Sequence, residues 1–424
     1  MNIQTITPEE LHAMDPDTRI LVDIRSENDY ALDTIPGAIR IPRNELIAIR
    51  PDGASAVPDT PSPSNAAGSD KNSAQSDSSE LNRQASVQSD AASKAPRLPR
   101  DRKIVVFCMS GFLSREPVEK LIAAGYDAVL LDGGYGNWLL HQMQKDIGNK
   151  EKREQAEKSL RKRFKHEIMG KFVKAIVDYQ LLQPNDHIAV CISGGKDSML
   201  MAMCFRELKR RNKIPFEVTY LCMNPGYSDA TLGMIRTNAD ILGIPLTIFE
   251  THIFDAVDNI PKSPCYICAR MRRGYLYQKA KELGCNKIAL GHHYDDVIET
   301  TLMSILYSGQ VQTMMPKLHS IHFEGMELIR PLYLIREKDI KAWRDLNGLH
   351  FIRCACHFTD LCSLEDQGSE VSKRLEAREL IAQLKKSTPA VEGNIFRSMD
   401  NVYLSAVTGY KDQSGTRHSF LDNY

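Results

Sequence analysis

The stretch HIAVCISGGKDS (187–198) decides the fold of the larger part of the chain. HIAVCI is a short apolar run that reads as a buried strand, and SMLMAMCFRELKRR (198–211) reads as a helix, with a glycine turn between them. Strand, glycine turn and helix is an arrangement in which backbone amides crowd an anion. The glycines let the backbone approach closely, the helix N-terminus favours negative charge, and Ser193 and Ser198 add hydroxyl donors. Ser193, Gly194, Gly195, Lys196, Asp197 and Ser198 are therefore expected to cradle phosphate. The spacing is neither that of a Walker loop nor G-x-G-x-x-G, so neither of those nucleotide folds applies. The bland alternative is a glycine-rich turn with no ligand.

Working outward, the alternation continues. FEVTYLCMN (216–224) and LTIFE (246–250) read as strands around the helix ATLGMIRTNADILG (230–243), followed by the helix ARMRRGYLYQKAKELG (269–284), the strand KIALGHH (287–293) and the helix DDVIETTLMSILYSG (295–309). This predicts an α/β domain with a doubly wound parallel sheet, whose ligand site lies beyond the carboxyl ends of its strands. Upstream, residues 142–175 are helical in character and locally basic, around RKRFKHEIMGKFVKA (161–175). A solvated helix face explains such a run as well as an RNA contact does.

A second α/β layer precedes it. ILVDI (20–24), IPGAIRIP (35–42), KIVVFC (103–108) and AVLLDGG (128–134) read as strands, with a helix at REPVEKLIAAG (115–125). Residues 51–100 interrupt this layer with no aromatic side chain and little to bury, so they are expected to be a disordered insertion. The boundaries predicted are a first domain over 1–140, a basic helical linker over 141–165, a nucleotide domain over 166–362 and a helical tail over 363–424.

The 424 residues suit two or three domains, and 42% hydrophobic with 25% charged residues excludes a collagen-like or wholly disordered chain. No run approaches the roughly 20 apolar residues of a membrane span, and MNIQTITPEELHAMD (1–15) has no apolar signal core. A cytoplasmic protein without membrane partners is expected. With 54 basic and 54 acidic side chains the net charge is zero, so nucleic-acid contact would rest on local patches. Ten cysteines in a reducing compartment point to buried thiols, reactive thiols or metal ligands before disulfides.

Cys265 and Cys268 form a C-x-x-C pair, which alone is half of a zinc site, a redox pair or half of an iron–sulfur site. Their partners are sought in FIRCACHFTDLC (351–362), where Cys354 and Cys356 follow the expected strand LHFIR (349–353) and Cys362 comes six residues later; structural thiols are the alternative. Asp295 and Asp296 stand where a strand gives way to a helix and are candidates to hold Mg²⁺ on a nucleotide, or simply to cap the helix. His292 and His293 read equally as structural or catalytic. Arg270, Arg272, Arg273 and Lys279 on the next helix read as RNA phosphate contacts or as a solvated face. Cys108 opens the loop CMSGFLSR (108–115) ahead of a helix whose dipole favours a thiolate, so it is the candidate nucleophile of the first domain.

These motifs carry two resemblances. SGGKDS resembles the pyrophosphate loop of the N-type ATP pyrophosphatases, the adenine-nucleotide alpha-hydrolase-like fold. With SPCYICARMRRGYLYQKAKELGCNKIALGHHYDDVIETTL, MMPKLHS and IRPLYLIREKDIKAW, the region 160–360 is similar to the tRNA 2-thiocytidine synthetases. That resemblance implies ATP as substrate, Mg²⁺ on it, tRNA as partner, and adenylylation of a cytidine at C2 followed by replacement of its oxygen with sulfur. It also implies a 4Fe–4S cluster on three cysteines, Cys265, Cys268 and Cys354, with one iron left open. The family shows C-x-x-C where this chain has Cys354-Ala355-Cys356, so Cys356 replaces or joins Cys354 in one version. The stretch 222–229 is also shorter than the family's loop. VDIRSENDY, TIPGAIRIP, the Cys108 loop and DGGYGNW resemble a rhodanese, implying a persulfide on Cys108, although Leu113 stands where that family places an arginine. Asp197 and Cys108 are the catalytic candidates, and Asp296 joins the loop in binding nucleotide. A cysteine desulfurase or another sulfur donor is the further partner expected, and a homodimer is one assembly considered.

Two other readings stay open. One is a cluster-free thiolase in which Cys265 and Cys354 pass a persulfide and resolve it as a disulfide. The other is a sulfur-relay or redox module that only binds nucleotide.

Overall fold

A computed structural model describes residues 3–49, 98–144, 150–211, 214–257, 264–351, 370–412 and 414–423. The chain divides into two compact units, Met1–Trp138 and Leu139–Tyr424. Nearly all of the insertion read over 51–100 lies outside the described residues, as do Cys354, Cys356 and Cys362.

The first unit is a five-stranded, all-parallel sheet of β1 (Thr5–Ile6), β2 (Arg19–Asp23), β3 (Ile39–Arg40), β4 (Lys103–Phe107) and β5 (Ala128–Leu131), in the order β1-β5-β4-β2-β3. The central strands are buried on both faces, with Val22, Ile104, Val105, Val106 and Phe107 inaccessible. This is why they read as continuous apolar runs without alternation. IPGAIRIP supplies only the two-residue β3, because Ile35 and Ile41 sink into the core while Pro36-Gly37 makes the turn between α-helical and strand segments. Helix α1 (Arg115–Ala123) returns over the sheet, burying Val118 and Leu121.

The second unit is a six-stranded sheet of β6 (Asp186–Cys191), β7 (Phe216–Asn224), β8 (Leu246–Glu250), β9 (Lys287–Ala289), β10 (Lys317–His319) and β11 (Glu327–Ile329). Its order is β10-β11-β9-β6-β7-β8, parallel except for the antiparallel edge strand β10. The chain leaves β6 toward β7 on one side and later comes back to β9 on the other. That reversal opens a crevice between the carboxyl ends of β6 and β9. Helix α2 (Lys150–Arg161) comes from the basic stretch, which continues through a π-helical turn, Lys165–Gly170. The helices around the sheet are α3 (Lys196–Arg211), α4 (Asp229–Leu242), α5 (Pro264–Glu282), α6 (Tyr294–Ser308) and α7 (Glu337–Leu346).

Two helices of the C-terminal segment, α8 (Glu370–Ser387) and α9 (Val391–Arg397), pack on α6, and a two-stranded hairpin, β12 (Gly409–Lys411) with β13 (Arg417–Ser419), closes the chain. One expectation is corrected: Leu349–Phe351, read as the start of a strand, are irregular. Their apolar side chains are used in packing against α7, with Leu349 buried and Phe351 stacked on Trp343 at 6.3 Å, so no sheet position is needed. Among the described residues no helix is long and apolar enough to cross a membrane.

Candidate functional site

The crevice is built from the ends of β6 and β9. After Cys191 the chain turns through Ser193 and Gly194 into α3. Gly194 has φ +84°, a conformation that side chains resist, and the turn is tied together by two short bonds. The Ser193 N–H donates to Ser198 Oγ (3.2 Å), and the Ser198 hydroxyl donates to the Gly195 carbonyl (3.0 Å). Opposite stands Gly291. A Cβ there would lie 3.2 Å from Ser198 N and 3.3 Å from the Asp197 carbonyl carbon, so the missing side chain is what lets the two loops close on each other.

Between them lies a cavity of about 430 Å³, lined by Ser193, Asp197 and Ser198 on one side and Gly291, His292 and Asp296 on the other. Its third wall is α5, through Ala269, Arg272, Arg273 and Leu276, with Met223 and Tyr227 beside it. Ser193, Asp197 and Ser198 of the loop and Asp296, picked out separately in sequence, thus share one cavity with the helix that carries Cys265 and Cys268, whereas Gly194, Gly195 and Lys196 do not line it.

The charges around it are matched with care. Lys196 makes ion pairs with Asp197 Oδ2 (3.1 Å) and Glu337 Oε1 (3.1 Å). Burial opposes its charge, but those two carboxylates outweigh it and hold the ammonium above its ordinary range. Burial likewise opposes the ionisation of Glu337, and Lys196 and Lys341 overcome it, bringing its pKa down to about 2. The sign follows from linkage. A carboxyl depressed in the folded state contributes stability that is present above its unfolded pKa near 4.5 and is lost as pH falls toward 2. Unfolding of wild type and Glu337→Gln is therefore expected to differ above pH 5 and to converge between pH ~4.5 and ~2; parallel curves through that window would refute the assignment.

His293 caps α6. Its N–H donates to Asp296 Oδ2 (2.9 Å), and the Asp296 N–H donates to His293 Nδ1 (3.4 Å). The cap is thus the buried histidine and not an aspartate, and Asp296 reciprocates from the third helical position. Asp295 is used elsewhere, taking the Glu337 N–H (2.7 Å) and an Arg336 ion pair (3.0 Å). Asp296 keeps Oδ1 toward Arg374 at 3.5 Å. Burial works against its charge, but the neighbouring histidines and Arg374 keep its pKa below the usual carboxylate value. Asp197 Oδ1 is buried with no hydrogen-bond partner, the His293 ring standing 3.9 Å from it. An acceptor without a hydrogen bond, on the wall of a cavity that a second carboxylate also lines, suits a cation brought in with a nucleotide.

His292 is pushed down to about 4 by burial and by the charge of Arg330, so it is neutral at physiological pH. Arg330 follows β11, is buried, donates to the Met315 carbonyl and leaves its Nε without a partner. Burial, then Arg273, lowers it to about 10. Cys191 also lines the cavity, but burial holds its thiol up at about 12, so it is a neutral wall and no nucleophile. Of the α5 cations, Arg272 and Arg273 line the cavity, whereas Lys279 is paired with Glu282 (3.0 Å).

Cys268 is buried among Met223, Ile253 and Phe254. Cys265 sits one helical turn earlier, and its side chain lies outside what is described. Among the described residues no three histidine, cysteine or acidic groups come together to hold a metal. In the first unit, Cys108 is buried at the end of β4, and its Sγ accepts the Gly111 N–H at 3.1 Å. The loop is pinned by the N–H groups of Tyr135 and Gly136 on the carbonyls of Cys108 (2.8 Å) and Met109 (2.9 Å). Leu113 packs into the domain core and Phe112 is exposed.

Sequence reasoning missed Arg330, Arg336, Glu337, Arg374 and Arg378. The first three lie within IRPLYLIREKDIKAW (329–343), which carries part of the family resemblance, but they stand far along the chain from the residues they pair with and nothing local gave them a role. The i, i+4 spacing of Arg374 and Arg378 on one helix face was the only signal for the last two.

A rhodanese-like domain model matches residues 7–141 and a PP-loop domain model matches residues 161–356. The protein is thus a rhodanese-like unit joined to an ATP-binding PP-loop unit. The tRNA-cytidine(32) 2-sulfurtransferase of Anaeromyxobacter dehalogenans strain 2CP-C is 33% identical over 244 residues, 57% of this chain and 80% of that protein. The protein of the same name from Vibrio cholerae is 36% identical over 244 residues, 56% of this chain and 74% of its own. Among solved structures, the U34-tRNA thiolase NcsA from Methanococcus maripaludis with its 4Fe–4S cluster aligns over 60% of this chain and 86% of that chain, at 22% identity and a TM-score of 0.45. The chain belongs to the tRNA-cytidine(32) 2-sulfurtransferase family.

Proposed function

We propose that the protein is an ATP-dependent tRNA sulfurtransferase that adenylylates a cytidine at C2 and replaces that oxygen with sulfur, Cys108 acting as persulfide carrier. The observation that carries this reading is the shared cavity. The phosphate loop, Asp296 and the arginine-bearing face of the C-x-x-C helix look into one space, so a nucleotide phosphate and a base tethered to an RNA backbone can meet there. The loop amides and the N-terminus of α3 hold the phosphates, and the open Oδ1 of Asp197 with Asp296 would hold Mg²⁺, whose charge favours departure of pyrophosphate. Arg272 and Arg273 orient the RNA from α5. Neutral His292 spares the site a further cation and does not compete for the phosphate. The base oxygen attacks the α-phosphorus and pyrophosphate leaves; the terminal sulfur of the persulfide then attacks C2 and displaces AMP, and a thiol supplied with the sulfur donor cleaves the resulting S–S bond, becoming oxidised as the thio base is released.

The cysteine set fits a 4Fe–4S cluster in chemistry: Cys265 and Cys268 are one turn apart on α5, and Cys268 stands in an apolar, water-poor shell. Cys265, Cys268 and Cys354 would hold the cluster, which when bound supplies an open iron for the incoming sulfur. Covalent linkage of the two units raises the effective concentration of the Cys108 persulfide at that site.

The test is anaerobic purification with iron and acid-labile sulfide measured beside tRNA thiolation. About four irons per chain are expected, lost in Cys268→Ala and Cys354→Ala and kept in Cys356→Ala. Thiolation by a protein with no iron would overturn the cluster, and unmodified tRNA with ATP and a sulfur donor supplied would overturn the function itself.

A further inference from the structure

The first turns of α6 carry three carboxylates, Asp295, Asp296 and Glu299, on the helix that closes the nucleotide cavity. Each is answered by an arginine. Arg336 serves Asp295 from just ahead of α7, but the other two are served from the C-terminal segment: Arg374 on α8 lies 3.5 Å from Asp296 Oδ1 and 3.6 Å from Glu299 Oε2, and Arg378 lies 2.8 Å from Glu299 Oε1. Glu299 is 3% exposed, and those two guanidinium groups are its ion-pair partners.

The two C-terminal helices are held to α6 by further contacts. The Tyr307 hydroxyl donates to Glu376 (2.6 Å), Ala377 and Ile381 are buried, and Phe396 of α9 stacks on Tyr294 at 4.5 Å. Lys385 and Arg336 converge on Glu392. None of these contacts involves Arg374, whose side chain is 42% exposed; besides its pairing with Glu299 it reaches the one oxygen of Asp296 that the helix cap leaves available.

We propose that Arg374 is a positioning residue of the nucleotide site, delivered by the C-terminal segment. In the free protein it holds Asp296 Oδ1 and screens the carboxylate pair; when Mg²⁺ arrives with the nucleotide, Asp296 turns that oxygen over to the metal and the released guanidinium faces the phosphates. The proposal rests on the reading of Asp296 as a Mg²⁺ ligand. It makes the C-terminal helices part of the active site and not an appendage. An arginine that competes with the cation for one oxygen, then gains an anion in exchange, has a signature that a packing role lacks. Its removal tightens the metal while slowing the reaction.

The experiment uses the full chain with Mn²⁺ as a paramagnetic probe and a non-hydrolysable ATP analogue, followed by tRNA-dependent exchange of pyrophosphate into ATP. Arg374→Gln is expected to bind Mn²⁺ about fivefold more tightly, the factor of one partly exposed ion pair, while the maximal exchange rate falls. Arg374→Lys should return both values toward wild type. Tyr307→Phe removes a bond of the same helix contact away from the cavity and should change neither. Unchanged Mn²⁺ affinity in Arg374→Gln, or the same change in Tyr307→Phe, would overturn the proposal. Wild-type protein that fails to bind Mn²⁺ with the analogue would instead overturn the nucleotide-site reading beneath it.

Discussion

Gly134→Ala is expected to unfold the Cys108 loop and with it the sulfur-carrying function of the first unit. The residue sits at φ +63°, where an L side chain is strained, and a Cβ would lie 2.4 Å from the Cys108 carbonyl oxygen, 2.7 Å from Gly111 N and 2.9 Å from the Met109 carbonyl oxygen. All three are backbone atoms, so no rotamer change can relieve the contact. Gly111 N is also the donor to Cys108 Sγ, so whatever moves to make room disturbs the thiol's own hydrogen bond. Backbone strain together with overpacking amounts to about 2–5 kcal/mol. The two tryptophans separate the units, since Trp138 belongs to the first and Trp343 is fully buried in the second. Urea unfolding followed by Trp138 fluorescence in a Trp343→Phe background should show a midpoint well below that of the parent, with persulfide loading lost. An unchanged midpoint would mean the loop is not built as described.

The second large effect is expected in the other unit. Lys287 on β9 is 2% exposed, and its ammonium spends its three donors on Asp186 (3.0 Å), Glu327 (2.9 Å) and the Leu181 carbonyl (3.1 Å). Lys287→Met keeps the volume and leaves Asp186, 4% exposed, without its cation, while Glu327 keeps Lys317 at 3.2 Å. Leaving a buried charge unpaired costs about 3–5 kcal/mol. Glu327 is opposed by burial and held down by Lys287 and then Lys317, so it is depressed in the wild type and contributes stability above its unfolded pKa near 4.5. In the variant Glu327 loses the first of those two cations and is held down less. That part of the loss should therefore be full above pH ~4.5 and shrink as pH falls below it. Chemical denaturation of both proteins at pH ~7 and at pH ~3.5, followed by Trp343, checks this; a loss that grows on acidification would refute it.

Much of the architecture was legible because the central strands of both sheets are parallel and buried. KIVVF and HIAVC read as strands since both faces of each are buried, and the glycine turn after HIAVC marked the carboxyl end of a central strand of the second sheet; LTIFE, the half-exposed edge strand β8, read as a strand from its β-branched and aromatic residues. The loop residues and Asp296 were legible as candidates because each sits where a strand gives way to a helix, a junction with a local signature. The strand expected over 349–353 is not formed by 349–351, the part described, for the opposite reason. An apolar run states that it will be buried, not whether a sheet or a helix buries it, and Phe351 is taken by Trp343.

Sequence by itself determined what depends on neighbours along the chain: the period of each element, the anion-binding turn, the C-x-x-C one turn apart, and the two family resemblances. Only the tertiary structure decided what depends on residues far apart. Lys196 meets Glu337 across 141 positions, Asp295 is withdrawn from the cavity by Arg336, and Asp296 is shared between its own helix cap and Arg374 from a tail with no motif of its own. Charge compensation acts through space and requires no sequence proximity, so which carboxylate is spent on the scaffold and which is left for a ligand is settled by packing alone.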